Sequence, residues 1–180
     1  MKVAITGHTK GIGLALATMF SDRGDTVKGY SRSNGFDISK PEHQDKIIAD
    51  ASDCDVFINN AYHEFSQCDL LTKCFANWKY QQKTIININS RSKYGAGKAK
   101  FYAQTKKQLA AVSYKLMFTE LDRQCRIINI NPGYVDTDMA SHVPNSVNKL
   151  SPAQCAEKII WALDQPHDIE IGELSVWCTF

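Results

Sequence analysis

The chain has 180 residues, of which 43% are hydrophobic and 22% charged, with a formal net charge of +2. Such a length predicts one domain that buries its core without metals or disulfides, and so small a charge argues against nucleic acid as the main partner. No apolar run is long enough to span a bilayer, which argues against a membrane partner.

Met1–Thr6 enters a strand directly and lacks the regions of a signal peptide, so a cytoplasmic location is expected. Cys54, Cys68, Cys74, Cys125, Cys155 and Cys178 are scattered without a C-x-x-C pair. They read as reduced thiols, and no His/Cys spacing fits a zinc site, so no metal is expected.

Val3-Ala4-Ile5 reads as a first strand. Ile12, Leu16, Met19 and Phe20 then recur at helical spacing, with Gly24 closing the helix. Thr26–Tyr30 is a second strand, and Pro41 opens a helix that turns Ile47 and Ile48 inward. Asp55–Asn59 and Thr84–Asn89 are buried strands, separated by a helix over 66–80 that carries Leu70, Leu71, Cys74, Phe75 and Trp78. A long helix from about Lys100 to Leu121 points Leu109, Val112, Leu116 and Met117 inward. Arg126–Ile130 is a further strand, stopped by Pro132-Gly133. Ser151-Pro152 caps a late helix to about Leu163, and Ile169–Trp177 is a last strand. Alternating strands and helices predict an α/β fold around a parallel sheet.

Thr6-Gly7-His8-Thr9-Lys10-Gly11-Ile12-Gly13 lies between the first strand and the first helix. A helix start presents unpaired N–H groups and partial positive charge, and glycines let backbone approach a pyrophosphate there. Gly7, Thr9, Lys10, Gly11, Ile12 and Gly13 are therefore expected to seat a dinucleotide. Beyond the second strand stands Ser31-Arg32-Ser33, without the acid that would bind a ribose 2′-hydroxyl. Ser31, Arg32 and Lys10 instead offer donors to a 2′-phosphate, so NADP(H) is expected over NAD(H).

Five segments stand in order along the chain: Thr6–Gly13, Asn59-Asn60-Ala61, Ser90 after Ile85–Asn89, Tyr102-x-x-x-Lys106, and Asn131–Thr137. In these the chain resembles the short-chain dehydrogenase/reductase family. The resemblance implies a Rossmann-type doubly wound parallel sheet with helices on both faces and Ser90, Tyr102 and Lys106 as catalytic residues. It also implies that Asp37 and Ile38 flank the adenine, and that Asn60 and Ala61 run along the cofactor. Tyr102 and Lys106 would contact the cofactor as well. Pro132, Gly133, Val135 and Thr137 would cradle its nicotinamide end.

Tyr102 and Lys106, at i and i+4, share a helix face. An ordinary phenol titrates near pH ~10, poorly matched to neutral proton transfer. A positive charge ~4 Å away at an effective dielectric of ~20 is worth ~4 kcal/mol, enough to draw the phenol toward neutrality. The phenol would then pass its proton to a substrate oxygen, with Ser90 stabilising the charge that develops.

Tyr62 stands where the family has glycine, and the stretch from Asn60 to Ser90 is short. Gln67 and Asn77 are candidates for the family's catalytic asparagine. Arg91, Lys93, Lys98 and Lys100 form a cationic run that would attract an anionic substrate group. The expected activity is reduction of a small carbonyl compound or oxidation of an alcohol, with a homodimer or homotetramer as the assembly. The alternative is a catalytically weak NADP(H)-binding sensor or interaction protein on the same fold.

Overall fold

Strands that are apolar at nearly every position must be covered on both sides, and parallel strands joined by helices satisfy that need. The computed structural model describes residues 1–95 and 100–179. The strands are β1 (Lys2–Thr6), β2 (Thr26–Tyr30), β3 (Val56–Asn59), β4 (Thr84–Ile88), β5 (Arg126–Pro132) and β6 (Glu173–Val176). The helices are α1 (Gly11–Asp22), α2 (Pro41–Asp50), α3 (Ser66–Trp78), α4 (Lys100–Thr119) and α5 (Pro152–Leu163). The strands form one parallel sheet in the order β2-β1-β3-β4-β5-β6. The order reverses between β1 and β3, so the loop after β1 opens at the topological switch where α/β sheets bind ligands.

Alternation along the strands sorts the core into two layers. Ala4, Phe57, Ile85 and Ile127 pack with Ile47, Leu71, Phe75, Trp78 and Leu109 from α2, α3 and α4. Val3, Ile5, Ile58, Ile86 and Ile128 pack on the other face with Leu16, Phe20, Ile159 and Leu163 from α1 and α5. Ser151 caps α5 through a capping box with Gln154.

Two expectations are refined. The inward face of α4 also carries buried Lys106 and Ser113 beside Leu109 and Met117, with Val112 and Leu116 half-buried but packed against the core. The last strand is shorter than Ile169–Trp177, because the Glu170 carboxylate accepts from the Ile127 backbone N–H and regular pairing starts only at Glu173.

Toward the carboxyl ends, the face under α4 turns polar. Asn59, Asn87, Asn129 and Glu173 stand side by side in register across four strands. The Asn59 amide donates to Asn87 Oδ1 at 3.0 Å, and the Asn87 amide donates to Asn129 Oδ1 at 3.3 Å. Ser113 of α4 joins the row by donating to Asn129 Oδ1 at 2.9 Å. Buried amides are costly unless paired, and here they largely pair with one another.

Candidate active site

The glycine loop is built as tightly as its spacing suggests. Gly7 and Gly11 take left-handed conformations, with φ of +70° and +57°. A Cβ at Gly13 would meet the Gly7 carbonyl oxygen at 2.2 Å. The Thr6 hydroxyl accepts from the backbone N–H groups of Asn60 and Ala61 at 2.9 and 3.0 Å. The Asn60 amide donates to the carbonyls of Thr6 and Gly7 at 2.9 and 3.2 Å, tying the end of β3 to the loop. Gly11 faces Thr137, whose methyl group would lie 3.1 Å from an added Cβ. Strand ends β1, β3 and β5 thus converge on the start of α1. Backbone with no room for side chains, open N–H groups at a helix start and an adjacent hydroxyl suit a pyrophosphate. Thr9 is exposed and Ile12 half-buried beside this cradle.

At the end of β2, Ser31 caps a short helical turn, with its hydroxyl 2.8 Å from that of Ser33. Arg32 is exposed there, beside Asp37, whose carboxyl is held below its usual range chiefly by hydrogen bonds from Ser39 and in part by the Arg32 charge. Lys10 is not a lone charge: its ammonium lies 2.9 Å from Asp138, an exposed pair of small energetic weight. Ile38 is buried in the core rather than open to a ligand. Val135 is buried too, while Pro132 ends β5 and Gly133 backs onto Trp177, whose Cβ would lie 2.6 Å from an added Cβ.

Ser90, Tyr102 and Lys106 come together beyond β4. Ser90 is the N-cap of the turn Arg91–Tyr94, and its hydroxyl accepts from the Ser92 N–H at 3.1 Å. Tyr102 interacts with Ser90 through its hydroxyl. Lys106 is only 2% exposed, and its ammonium donates to Gln67 Oε1 at 2.6 Å and to the Ile88 carbonyl at 2.8 Å. Burial drives the Lys106 ammonium down to about 7. The ammonium sits 5.4 Å from the Tyr102 ring centroid and 5.3 Å from that of Tyr62.

Here the expected electrostatics are corrected. Tyr102 is raised above the ordinary phenol value, first by burial, with the Ser90 hydrogen bond opposing. The Lys106 ammonium, itself destabilised by burial and spent on Gln67 and Ile88, does not depress the phenol in this arrangement.

Gln67 was one of two candidates for the amide near the lysine, and it is the one that reaches it. Its Nε2 donates to the carbonyls of Asn59 and Ile88 at 2.7 and 3.1 Å, which leaves Oε1 to receive Lys106. Asn77 is exposed and bonds to Lys73 of its own helix. The cationic run is also less charged than it reads. Lys93 is buried against Glu173 at 2.6 Å, and Lys98 lies outside the described residues. Arg91 stacks over Trp177 at 4.8 Å and, with Tyr134 and Asn148, lines a cavity of about 320 Å³. Lys100 is exposed at the start of α4.

Sequence reasoning missed Glu173, which accepts from Lys93, Tyr94 and Tyr114 and so ties the Ser90 turn to β6. It also missed His8, whose ring fills the space over Gly29 of β2. Only the alternating Asn and Ile of the two central strands hinted at the polar row beneath the site.

No protein-family model matches the chain. It is 26% identical to an uncharacterized oxidoreductase of Staphylococcus aureus strain MRSA252, over 97% of this chain and 96% of that protein. That alignment runs over 222 positions, so the relative carries stretches that this shorter chain lacks. Among solved structures, the chain is similar to a 3-ketoacyl-(acyl-carrier-protein) reductase from Brucella melitensis complexed with NADH, with a TM-score of 0.83 and 21% identity, covering 98% of this chain and 96% of that one. It is likewise similar to a short-chain dehydrogenase from Burkholderia cenocepacia in complex with NADP, with a TM-score of 0.82 and 18% identity over 97% and 87% of the two chains. The chain shares the Rossmann-type fold of these solved short-chain dehydrogenases and reductases.

Proposed function

We propose that this chain is an NADP(H)-dependent oxidoreductase that interconverts a small carbonyl compound and its alcohol. The observation that carries the reading is the meeting of the Tyr102 ring with the buried Lys106 ammonium, 5.4 Å apart, beside the turn that Ser90 caps. That meeting lies at the carboxyl ends of the strands, where the glycine cradle also opens. Relatives and structural neighbours named as oxidoreductases, two of them holding NADH or NADP, support the same reading. A preference for NADP(H) rests on Arg32, Ser31 and Ser33, with no acid among them. The reducing cytoplasm suits the free cysteines Cys54, Cys68, Cys74, Cys125, Cys155 and Cys178.

When bound, the nicotinamide supplies the reducing equivalent. Gly7, Gly11 and Gly13 hold the diphosphate against the start of α1. Ser90 orients the substrate oxygen by hydrogen bonding, and Tyr102 gives that oxygen a proton in reduction or takes it back in oxidation. Lys106 is held by Gln67 and the Ile88 carbonyl one helical turn from Tyr102. Its near-neutral titration lets it take up or release a proton without a large cost.

Purified protein mixed with NADPH and a panel of aldehydes, ketones and diones tests the reading through loss of reduced-nicotinamide absorbance. Tyr102→Phe is expected to lower turnover ~100-fold or more while retaining NADPH affinity, the usual scale for a lost general acid. Full turnover in that variant removes Tyr102 from the mechanism. The sensor reading gains from one observation, the Tyr62 ring resting on Tyr102; tight NADPH binding with no turnover on any panel member would favour it.

A further inference from the structure

Lys106 has three N–H bonds to place, and two go inward to Gln67 and Ile88. On its remaining side stand two aromatic rings, Tyr62 and Tyr102, with centroids 5.3 and 5.4 Å from the ammonium. The rings meet edge to face, 4.8 Å between centroids and 74° between planes. The lysine is 2% exposed, with these rings among the groups that cover it. A residue so covered cannot touch a cofactor ribose or a substrate without a rearrangement.

Of the two rings, Tyr62 is the one free to move. Tyr102 is carried on the helix α4, whose backbone holds it in place. Tyr62 sits in the loop between β3 and α3, and its hydroxyl has no hydrogen bond among the described residues. Two positions on, Glu64 has a φ of +41°, alone among the described non-glycine residues in being positive. Such backbone strain concentrates in segments that switch.

We infer that Tyr62 is a cover over the Lys106–Tyr102 pair, and that dinucleotide binding swings its ring aside. The inference rests on the oxidoreductase reading and adds to it a closed state that lowers apparent cofactor affinity. Affinity is reduced by the fraction of molecules that are open, so removing the cover raises it. The cation–π contact with Lys106 and the edge-to-face contact with Tyr102 hold the closed state. An incoming dinucleotide replaces the first with its own polar contacts.

Calorimetric titration of NADPH into the wild type, Tyr62→Ala and Tyr62→Phe tests this without any turnover assay. Tyr62→Ala is expected to bind ~10-fold more tightly, the gain from raising an open fraction of ~10% to unity. Tyr62→Phe keeps the ring and is expected to bind within ~2-fold of the wild type, because the cover is the ring rather than the hydroxyl. Equal or weaker binding by Tyr62→Ala overturns the cover while leaving the oxidoreductase reading standing. No heat with any of the three proteins overturns both. Should the alanine variant fail to fold, Tyr62→Leu takes its place, with the same gain expected and the same equality overturning the proposal.

Discussion

Gln67 Oε1 receives the Lys106 ammonium at 2.6 Å, and both residues are 2% exposed. The amide cannot turn over, because its Nε2 already serves the carbonyls of Asn59 and Ile88. Gln67 is therefore a positioning residue for the lysine, joining it to the end of β3 and β4. Replacing it by methionine keeps the volume and removes all three hydrogen bonds. Gln67→Met is expected to lose ~1–3 kcal/mol of stability in urea unfolding, the cost of leaving buried polar groups unpaired. It should also lower kcat more than it raises KM for NADPH, and Gln67→Glu should recover part of the loss by restoring an acceptor.

Lys106 makes stability depend on pH in a defined direction. Its folded-state value is lowered to about 7 from 10.5, so between these values the unfolded chain binds a proton that the folded chain does not. Stability contributed by this group therefore rises as pH increases through that window, with a limiting slope of ~1.4 kcal/mol per pH unit. Below about 7 both states are protonated and the slope vanishes. Urea unfolding at intervals from neutrality to mildly alkaline pH should show the rise in the wild type, and Lys106→Met should flatten it. An unchanged slope in the variant assigns the dependence elsewhere.

Cofactor preference is expected to turn on Ser31. Its hydroxyl lies at the β2 terminus beside exposed Arg32, and the segment Ser31-Arg32-Ser33 itself holds no acid. Ser31→Asp should weaken NADPH binding at least ~10-fold through like-charge repulsion and improve NADH, while Arg32→Ala weakens NADPH alone. Titrating both dinucleotides into each variant decides it; equal losses for the two would place the discrimination outside this corner.

Glu173 gathers Lys93, Tyr94 and Tyr114, and Lys93 has little other solvation because it is 7% exposed. Glu173→Gln leaves that ammonium buried beside a neutral group and is expected to cost ~1–3 kcal/mol. The double variant Glu173→Gln/Lys93→Met should recover part of the loss, since no charge is then stranded. Additive losses in a double-mutant cycle would show that the two residues do not depend on each other.

The tight glycine loop and the helix face shared by Tyr102 and Lys106 were both legible in the sequence. Gly7, Gly11 and Gly13 are dictated by backbone conformation and close approach, which are local matters, and Tyr102 and Lys106 share a face by helical period alone. The core layers follow from strand alternation and helical stripes in the same way. The partners of those residues were not legible, because they come from strands and helices far apart in the chain. Gln67 meets Lys106 across 39 positions, and Lys93 meets Glu173 across 80.

Residue order and spacing by themselves determined the strands, the helices, the tight glycine loop and the helix face that Tyr102 and Lys106 share. Only the folded arrangement decided the charge states. Packing buried Lys106 away from water and set it beside amide and carbonyl oxygens rather than against the phenol, so the lysine titrates lower and the tyrosine higher than their spacing implied. Desolvation depends on everything that surrounds a group, and the chain's linear order does not record what surrounds it.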